Sequence, residues 1–479
     1  MITDRIFEWA HVQPQRPAIL EGSETITYLE FANIIEAARS YFAAFDLPRG
    51  QFAFVFTRTG AEHWVLTLAL RALGLHTATV PNLTDIAALK LKDVACIVCN
   101  EECLPGPGTL PTALREARII PVTKKLLMRG LASAPPRPSS NSTQPGGYLL
   151  RTSGTTGIYK NLLGGGAPEA DIVRWNLRTL HIDRNTIYHM LSFPPWTGIG
   201  AVTATVWHAG GCLAFSGVAE PYADFFRHRP THAMVVPFML PPLLASRPAG
   251  EGPRASLTLT VTGGFLPLVL AERVTREITP NVEIYYGSTE VCAFMRARFQ
   301  SNEDLYWLEP EGRIEVVDDE DRHCLDGVEG EIRIGLMPFD TDHYLDDSAA
   351  TARHFRDGWF YPGDAAIRRK DGRIRVLGRI EDAINIKGVK IPVAPLEEKI
   401  QRALSVAHAC VFSRLNAAAE EEILIAVESV VRPSDETLAN AILGIRGFDR
   451  VRWTFLDRFP RTEGGLTKTN RRKLRKLLE

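Results

Sequence analysis

A segment rich in glycine and hydroxyl groups, ending in a lysine, is the sharpest chemical signal in this sequence. Residues 152–160 read Thr-Ser-Gly-Thr-Thr-Gly-Ile-Tyr-Lys and follow the short apolar run Tyr148-Leu149-Leu150. Glycine lets backbone N–H groups point inward, hydroxyls add donors and lysine adds positive charge. The pattern predicts a cradle for a phosphate group, although its Gly-x-x-Gly-x-x-Lys spacing is not that of a Walker loop. The alternative is a flexible surface loop.

Two further segments place a carboxylate beside a tight turn. Tyr285-Tyr286-Gly287-Ser288-Thr289-Glu290 combines an aromatic plane with an acid. A purine could stack on the ring while Glu290 holds a hard cation such as Mg²⁺. In isolation, however, a strand end with an exposed glutamate is the better interpretation. Asp364 follows a Pro-Gly turn, and a carboxylate held in this way can accept both hydroxyls of a ribose.

Two charge-rich segments lie nearer the C-terminus. Gly378-Arg379-Ile380-Glu381-Asp382 precedes Asn385-Ile386-Lys387-Gly388, and Pro460-Arg461-Thr462 precedes Lys468. Taken singly both are weak signals, because a charge-rich turn usually does no more than face solvent. Their meaning depends on the order of all these segments along the chain.

Alternating strands and helices must position these residues. The runs 52–56 and 234–236 predict buried strands, and they alternate with helical stretches such as 28–45 and 62–73. This alternation predicts an α/β fold with largely parallel sheets. After Asp364 the pattern changes to that of a short α+β unit. Its predicted elements are a hairpin strand, an amphipathic helix, a second strand and a basic helix, at 373–377, 395–404, 422–427 and 470–478.

Composition excludes several classes of protein. The 479 residues include 55 Lys and Arg against 56 Asp and Glu, a net charge of −1, so neither nucleic acid nor a membrane surface is an expected partner. No stretch approaches the roughly 18 consecutive apolar residues of a membrane span. The start of the chain lacks the pattern of a secretory signal, and seven thinly spread cysteines suit a reducing cytoplasm. Cys96, Cys99 and Cys103 have metal-like spacing, but they coincide with a predicted buried strand and no fourth thiolate follows.

The order and spacing of these segments resemble the adenylate-forming superfamily of acyl-CoA synthetases, stand-alone adenylation enzymes and luciferases. The resemblance covers nearly the whole chain, from Pro17-Ala18-Ile19 and Thr25-Ile26-Thr27-Tyr28 to the basic tail. Thr262-Gly263-Gly264, Gly330-Glu331-Ile332 and Tyr344-Leu345-Asp346-Asp347 also fit. Five motifs in the expected order make the resemblance specific.

The resemblance implies that the protein binds ATP and Mg²⁺. Residues 152–160 would hold the β- and γ-phosphates, with Tyr159 where relatives carry proline. Thr289 would bond the α-phosphate and Glu290 the metal. One of Tyr285 and Tyr286 would stack on adenine, with Tyr286 at the motif position. The nucleotide-binding set implied in this way is Thr152, Ser153, Gly154, Thr155, Thr156, Gly157, Lys160, Gly263, Gly264, Tyr285, Tyr286, Gly287, Asp364 and Arg379.

The sequence departs from the family pattern near Asp364 and before Lys468. Asp364 would bind the ribose, although Pro362 stands where relatives usually carry Thr or Ser, and Arg379 would assist at the ribose or phosphate. Lys468 matches the late lysine that bridges the substrate carboxylate and the α-phosphate, but it follows Thr462 at a longer spacing than usual; Lys473 is the alternative.

The resemblance also implies two domains. A large domain of layered α/β subdomains, residues 1–379, would be followed by a small mobile α+β domain, residues 380–479. The small domain would rotate about Glu381 between the two half-reactions, taking Lys468 out of the site and bringing the segment around Lys387 in.

The implied reaction joins a carboxylic acid to ATP as an acyl-adenylate, releases pyrophosphate and then transfers the acyl group. The expected acid pocket contains Phe193, Trp196, Gly198, Phe238, Phe265 and Tyr285, unless these aromatic residues are ordinary core. Two prolines follow Phe193 where amino-acid-activating relatives carry an aspartate, so an aryl or hydrophobic acid is expected. A thiol, either CoA or the phosphopantetheine of a carrier protein, is the expected acceptor. The alternatives are amide formation with an amine and a degenerate, non-catalytic binding protein.

Overall fold

The computed structural model divides the chain into two compact units, residues 1–233 with 337–348, and residues 234–336 with 349–479. The structure describes residues 1–57, 59–79, 89, 91–101, 114, 117–123, 126, 134–136, 144–153, 159–166, 168–191, 200–216, 220–299, 306–386, 389–415, 421–445, 448, 451–462 and 469–478. For 153, 159, 385, 386, 389, 415 and 421 it describes the backbone alone.

The first unit contains two sheets flanked by helices. Its strands are β1 (Pro17–Glu21), β2 (Glu24–Thr27), β3 (Phe52–Phe56), β4 (His76–Thr79), β5 (Val94–Asn100), β6 (Arg118–Val122), β7 (Gly147–Ser153), β8 (Tyr159–Gly165), β9 (Ile187–Met190) and β10 (Cys212–Phe215), and β11 (His232–Val235) follows at its end. Its helices are α1 (Ile2–Val12), α2 (Tyr28–Ala43), α3 (Gly60–Ala72), α4 (Glu169–Thr179), α5 (Gly200–Ala209) and α6 (Pro221–His228).

Parallel pairing dominates the first unit. One sheet has the order β6-β5-β3-β4-β7-β8, in which only the β7–β8 pair is antiparallel. In the other, β9, β10 and β1 are parallel and β2 closes a hairpin on β1. Ala53, Phe54 and Val55 of β3 are fully buried, as expected for a strand covered on both faces.

The second unit holds the remaining elements. Its strands are β12 (Thr258–Thr262), β13 (Asn281–Gly287), β14 (Phe294–Arg298), β15 (Glu309–Glu311), β16 (Ile314–Val317), β17 (Glu329–Gly335), β18 (Phe355–Arg356), β19 (Trp359–Phe360), β20 (Asp364–Arg368), β21 (Ile374–Arg379), β22 (Ile384–Ile386), β23 (Val389–Ile391), β24 (Ala409–Leu415), β25 (Glu421–Glu428) and β26 (Val451–Leu456). Its helices are α7 (Leu240–Ala245), α8 (Leu268–Glu277), α9 (Ser348–His354, which begins at the last residue of the first unit), α10 (Val393–Leu404), α11 (Asp435–Ile442) and α12 (Arg471–Leu478), with short 3₁₀ helices at Pro237–Met239 and Ile380–Asp382.

Three sheets of the second unit matter for the site. β12 and β13 are parallel, and β14 and β15 continue that sheet antiparallel. The second sheet has the order β18-β19-β17-β20-β21, with β16 also paired to β17. Near the C-terminus, β25 lies between antiparallel β24 and parallel β26, and α10 packs on this sheet through a core that includes Ile400, Val411 and Ile425.

The predicted α/β fold class is confirmed, and the predicted elements recur within a few residues. The predicted helix 395–404 is α10, the strand 422–427 is β25, and the basic helix is α12. The predicted domain boundary at 379/380 lies between β21 and the 3₁₀ helix at Ile380–Asp382, inside the second unit, and stays a prediction.

The strand predicted at Cys96 and Cys99, in preference to a metal site, is β5. Cys96 and Cys99 lie buried in β5, where burial raises the pKa of Cys96 to about 12, and no metal-ligating cluster occurs in the part of the chain that the structure describes. Cys103 lies outside that part. Of the helices described, none is long and apolar enough to cross a membrane.

Candidate functional site

A tyrosine, an aspartate and an arginine from three strands meet in the second unit. The Tyr286 hydroxyl donates to Asp364 Oδ2 at 2.6 Å, and Arg379 Nε lies 3.1 Å from Asp364 Oδ1. Among the described residues, each carboxylate oxygen therefore has one donor, which leaves acceptor capacity for further hydroxyls. Asp364 itself is buried, with 6% of its surface exposed, so its orientation is well constrained.

The β20–β21 hairpin explains how Asp364 and Arg379 meet. These two residues are directly paired across the antiparallel strands, so their side chains lie on the same face. The register shifts just beyond them, because Ala365 pairs with Gly378 whereas Ala366 pairs with Val376. Such a bulge twists the strand and redirects the side chains beside it.

Gly363 allows the chain to enter this hairpin. Its φ of +80° lies in the left-handed region that other residues rarely adopt. Arg379 also donates to the carbonyl oxygen of Pro362, and the Ile380 amide donates to the Gly363 carbonyl at 3.0 Å. The end of β21 thus holds the turn that presents Asp364.

Tyr285 and Tyr286 are consecutive residues of β13, so their side chains lie on opposite faces of the sheet. Tyr286 pairs with Met295 of β14, and Tyr285 stacks its ring on Phe294 with centroids 4.6 Å apart. A Cβ atom at Gly287 would lie 2.7 Å from the Tyr285 ring, so glycine is required there while the ring keeps its place. Tyr286, at the predicted adenine-stacking position, is held by the hydrogen bond from its hydroxyl to Asp364.

The charges in this cluster reinforce one another. Burial raises the pKa of Tyr286 well above its ordinary value, and Asp364 raises it further, so the phenol stays protonated and acts as a donor. Burial alone would lower the pKa of Arg379, but Asp364, Tyr286 and Glu290 outweigh it and raise that pKa. The guanidinium is a permanent positive charge beside two carboxylates.

Glu290 and Ser288 form the turn after β13. The Ser288 hydroxyl donates to Glu290 Oε2 and accepts the Glu290 amide at 3.4 Å, while Thr289 between them is half-buried. Glu290 is 9% exposed. Mg²⁺ usually takes one or two carboxylates, substrate phosphates and several waters, so this single buried carboxylate fits such an ion.

In the first unit, the predicted phosphate cradle is flanked by a β-hairpin. Thr152 of β7 pairs with Lys160 of β8, and Ser153 pairs with Tyr159. Residues 154–158, which include Gly154, Thr155, Thr156 and Gly157, lie outside the described residues. The predicted strand before the turn and the lysine after it are therefore paired with each other across the hairpin.

Tyr344 supports Lys160. The ammonium lies 4.8 Å from the centre of the Tyr344 ring, which is buried, and the Leu345 amide donates to Asn161 of β8 at 2.8 Å. A cation over an aromatic face is attracted to it. The segment around Tyr344 therefore holds Lys160 at the mouth of the hairpin.

Several predicted pocket residues lie at the carboxyl edge of β12 and β13. These strands are parallel, with Thr262 opposite Tyr285, so Gly263–Phe265 and the turn after β13 leave the same edge. A Cβ at Gly264 would lie 3.5 Å from Pro237, next to half-buried Phe238. Phe193, Trp196 and Gly198 lie outside the described residues.

A sequence profile of AMP-binding enzymes matches residues 6–336. The chain belongs to the AMP-binding enzyme family. It is 24% identical to the 4-chlorobenzoate–CoA ligase of an Arthrobacter species over 498 residues, covering 98% of this chain and 94% of the relative.

Solved structures share the fold over nearly the whole chain. The anthranilate CoA ligase AuaEII, solved with anthranoyl-AMP, matches with a TM-score of 0.83 at 17% identity and covers 100% of this chain and 97% of its own. The amide bond synthetase McbA from Marinactinospora thermotolerans matches with a TM-score of 0.79 at 18% identity, covering 99% of each chain. The predicted membership of the adenylate-forming superfamily is confirmed, and the chain is an adenylate-forming ligase.

Three residues of this AMP-binding enzyme support the site in ways that the motifs did not predict: Ser288 and Tyr344, which lie within motif segments, and Tyr306, which stacks on Phe265. The supporting roles of Ser288, Tyr306 and Tyr344 depend on contacts between segments or on turn geometry that motif order does not reveal. The predicted hinge residue Glu381 lies in the 3₁₀ helix after β21 and forms an ion pair with Arg353. Lys468 lies outside the described residues.

Proposed function

We propose that this enzyme uses ATP to activate a carboxylic acid as an acyl-adenylate and then transfers the acyl group to a thiol. The observation that carries the proposal is the cluster of Tyr286, Asp364 and Arg379, in a chain of the AMP-binding family. Asp364 keeps free acceptor capacity on both oxygens, which suits the vicinal hydroxyls of a ribose.

The remaining charges suit attack by a carboxylate on ATP. The attacking oxygen bonds to the α-phosphorus, the bond to the β-phosphate breaks and pyrophosphate leaves. Lys160, the hydroxyls of residues 152–156 and Lys468 would neutralise the charge that develops, and Thr289 would bond the α-phosphate. Mg²⁺, held through Glu290, would supply electrostatic stabilisation of the phosphates.

The expected acid is aryl or hydrophobic. Tyr285, Phe238 and Phe265 supply apolar and aromatic surface near the carboxyl edge of β12 and β13, together with Gly263 and Gly264. The 4-chlorobenzoate ligase and the anthranilate ligase act on aryl acids, which supports the same class here.

The acceptor is CoA or the phosphopantetheine thiol of a carrier protein. A thiol attack on the acyl carbon would release AMP and form a thioester. The similarity to 4-chlorobenzoate–CoA ligase along 98% of the chain favours this reaction over amide formation, although McbA shares the fold. The small domain, residues 380–479, would rotate about Glu381 between the two steps.

A substrate panel tests this function. Purified protein is incubated with ATP, Mg²⁺ and single acids, including substituted benzoates, indole acids, medium-chain fatty acids and α-amino acids, and pyrophosphate release is measured. We expect release with aryl or hydrophobic acids, and a thioester by mass spectrometry when CoA is added. An amide formed with added amines, but no thioester with CoA or a phosphopantetheinylated carrier, would establish the amide-forming alternative. Nucleotide binding without release would indicate a degenerate binding protein.

A further inference from the structure

Tyr306 holds the segment that leaves β12 at the predicted acid pocket. Its ring stacks on Phe265, with centroids 4.5 Å apart and an interplanar angle of 23°, and its hydroxyl donates to the Leu266 carbonyl at 3.1 Å. Two independent contacts from one side chain therefore determine where the Phe265 ring lies. A change in the position of Tyr306 would move a wall of the pocket.

On its other side, Tyr306 lies against a buried charge cluster. Glu398 of α10 is 8% exposed and forms ion pairs with Arg375 of β21 at 2.7 Å and with Arg402 of its own helix at 2.6 Å. The Arg375 guanidinium lies 5.8 Å from the centre of the Tyr306 ring. Burial raises the pKa of Tyr306 and Glu398 raises it further, whereas Arg402 and Arg375 act in the opposite direction.

This cluster links the hairpin of the candidate site to the predicted small domain. Arg375 belongs to the hairpin that presents Asp364, whereas Glu398 belongs to the predicted small domain. A buried carboxylate is costly without its partners, so Glu398 favours the arrangement in which both arginines reach it. Tyr306 lies between this ionic contact and Phe265.

We propose that Tyr306 is a positioning residue that couples docking of α10, through Glu398, to the shape of the acid pocket at Phe265. The inference rests on the proposed function for the identity of the acid, but the link from Glu398 through Tyr306 to Phe265 does not depend on it. With α10 docked, Tyr306 is confined against Phe265 and Leu266. Because coupling between sites is reciprocal, acid bound against Phe265 also stabilises the docked position of α10.

Amide hydrogen exchange on the full-length, ligand-free protein tests the mechanical part. Glu398→Gln weakens both ion pairs without touching Phe265, and we expect faster exchange at residues 263–268. The matched control is Glu422→Gln, which breaks an ion pair with Arg414 of 2.7 Å within the β24–β25 sheet, away from Tyr306. Unchanged exchange at 263–268 in Glu398→Gln, with a folded protein by circular dichroism, would overturn the coupling.

A double-mutant cycle then tests the link to the acid. Tyr306→Phe keeps the ring stack but removes the hydroxyl, so its own effect on KM tests the Tyr306 contact even where Glu398→Gln proves poorly folded. With the best acid from the panel, we expect each single variant to raise its KM more than it lowers kcat. The double variant should differ from the product of the two single effects by at least about threefold, as for residues in one network. Additive effects would refute the coupling, whereas a wild type inactive with every acid would count against the proposed function alone and leave the exchange result standing.

Discussion

Replacing Tyr286 with phenylalanine isolates the contact that orients Asp364. The substitution keeps the aromatic ring for stacking on adenine but removes the hydroxyl that donates to Asp364 Oδ2 at 2.6 Å. Arg379 Nε remains at 3.1 Å from the other oxygen, so the carboxylate keeps one partner and loses one. A hydrogen bond to a charged group contributes about 1.5–3 kcal/mol.

That loss translates into a measurable kinetic effect. Since about 1.4 kcal/mol corresponds to a factor of ten, kcat/KM for ATP should fall about 10- to 150-fold in Tyr286→Phe. The ribose does not take part in bond breaking, so the change should appear mainly as a higher KM for ATP with kcat little altered. Acid-dependent ATP–pyrophosphate exchange at varied ATP concentrations measures both parameters.

A control variant, Tyr361→Phe, and a control nucleotide, 2′-deoxy-ATP, test whether the effect is specific to the ribose contact. Tyr361→Phe removes a similar contact, from the hydroxyl of the buried residue Tyr361 to Asp321 Oδ1 at 2.9 Å, in the segment between β19 and β20 but outside the candidate site. It should leave the KM for ATP near that of the wild type. The preference for ATP over 2′-deoxy-ATP should shrink in Tyr286→Phe, because its carboxylate is less well oriented for the ribose hydroxyls. Kinetics of Tyr286→Phe within threefold of wild type, with an unchanged preference, would refute this role of Asp364.

Three other predictions address separate parts of the account. Lys468→Ala should slow adenylation by the loss of a charge-assisted contact of about 1.5–3 kcal/mol while sparing acyl transfer from supplied acyl-adenylate; equal losses in both half-reactions would contradict its assignment. Glu290→Gln should raise the Mg²⁺ concentration for half-maximal pyrophosphate release by at least about tenfold, the scale seen when support for a metal ligand is lost, and an unchanged Mg²⁺ titration would count against it. Burial lowers the pKa of His63 from 6.5 to about 3, so between these pH values the unfolded chain binds a proton that the native state does not. Stability should therefore fall by about 1.4 kcal/mol per pH unit as the pH drops through that range. Urea unfolding at pH 7 and pH 5 should show a loss about 2 kcal/mol smaller in His63→Leu than in wild type; equal losses would exclude His63 as the cause.

Periodicity was sufficient to predict the type of the strands and helices that were named from the sequence. The run 52–56 is a buried strand because Ala53, Phe54 and Val55 face the cores on both sides of a parallel sheet. The helix from Tyr28 begins where Thr27 caps it, with Glu30 completing the capping box, but it ends at Ala43, two residues earlier than predicted. Helix ends depend on caps and packing that hydrophobic spacing does not encode.

For the candidate site, the sequence predicts the residues but not the contacts between them. Motif order predicts Tyr286, Asp364 and Arg379 as separate ligands of one nucleotide. It could not reveal that the tyrosine hydroxyl and the guanidinium each bond a different oxygen of Asp364, because that depends on the hairpin register and its bulge. Tyr306 carries no motif at all, and only its contacts with Phe265 and Leu266 distinguish it.

Acid-dependent exchange of pyrophosphate into ATP tests the central claim most directly, because it requires formation and reversal of the acyl-adenylate and no acceptor. Wild-type protein should catalyse exchange that depends on both Mg²⁺ and an aryl or hydrophobic acid. Asp364→Asn should reduce that exchange sharply while the protein remains folded. A folded wild-type protein that binds ATP but catalyses no exchange with any acid of the panel would contradict the claim.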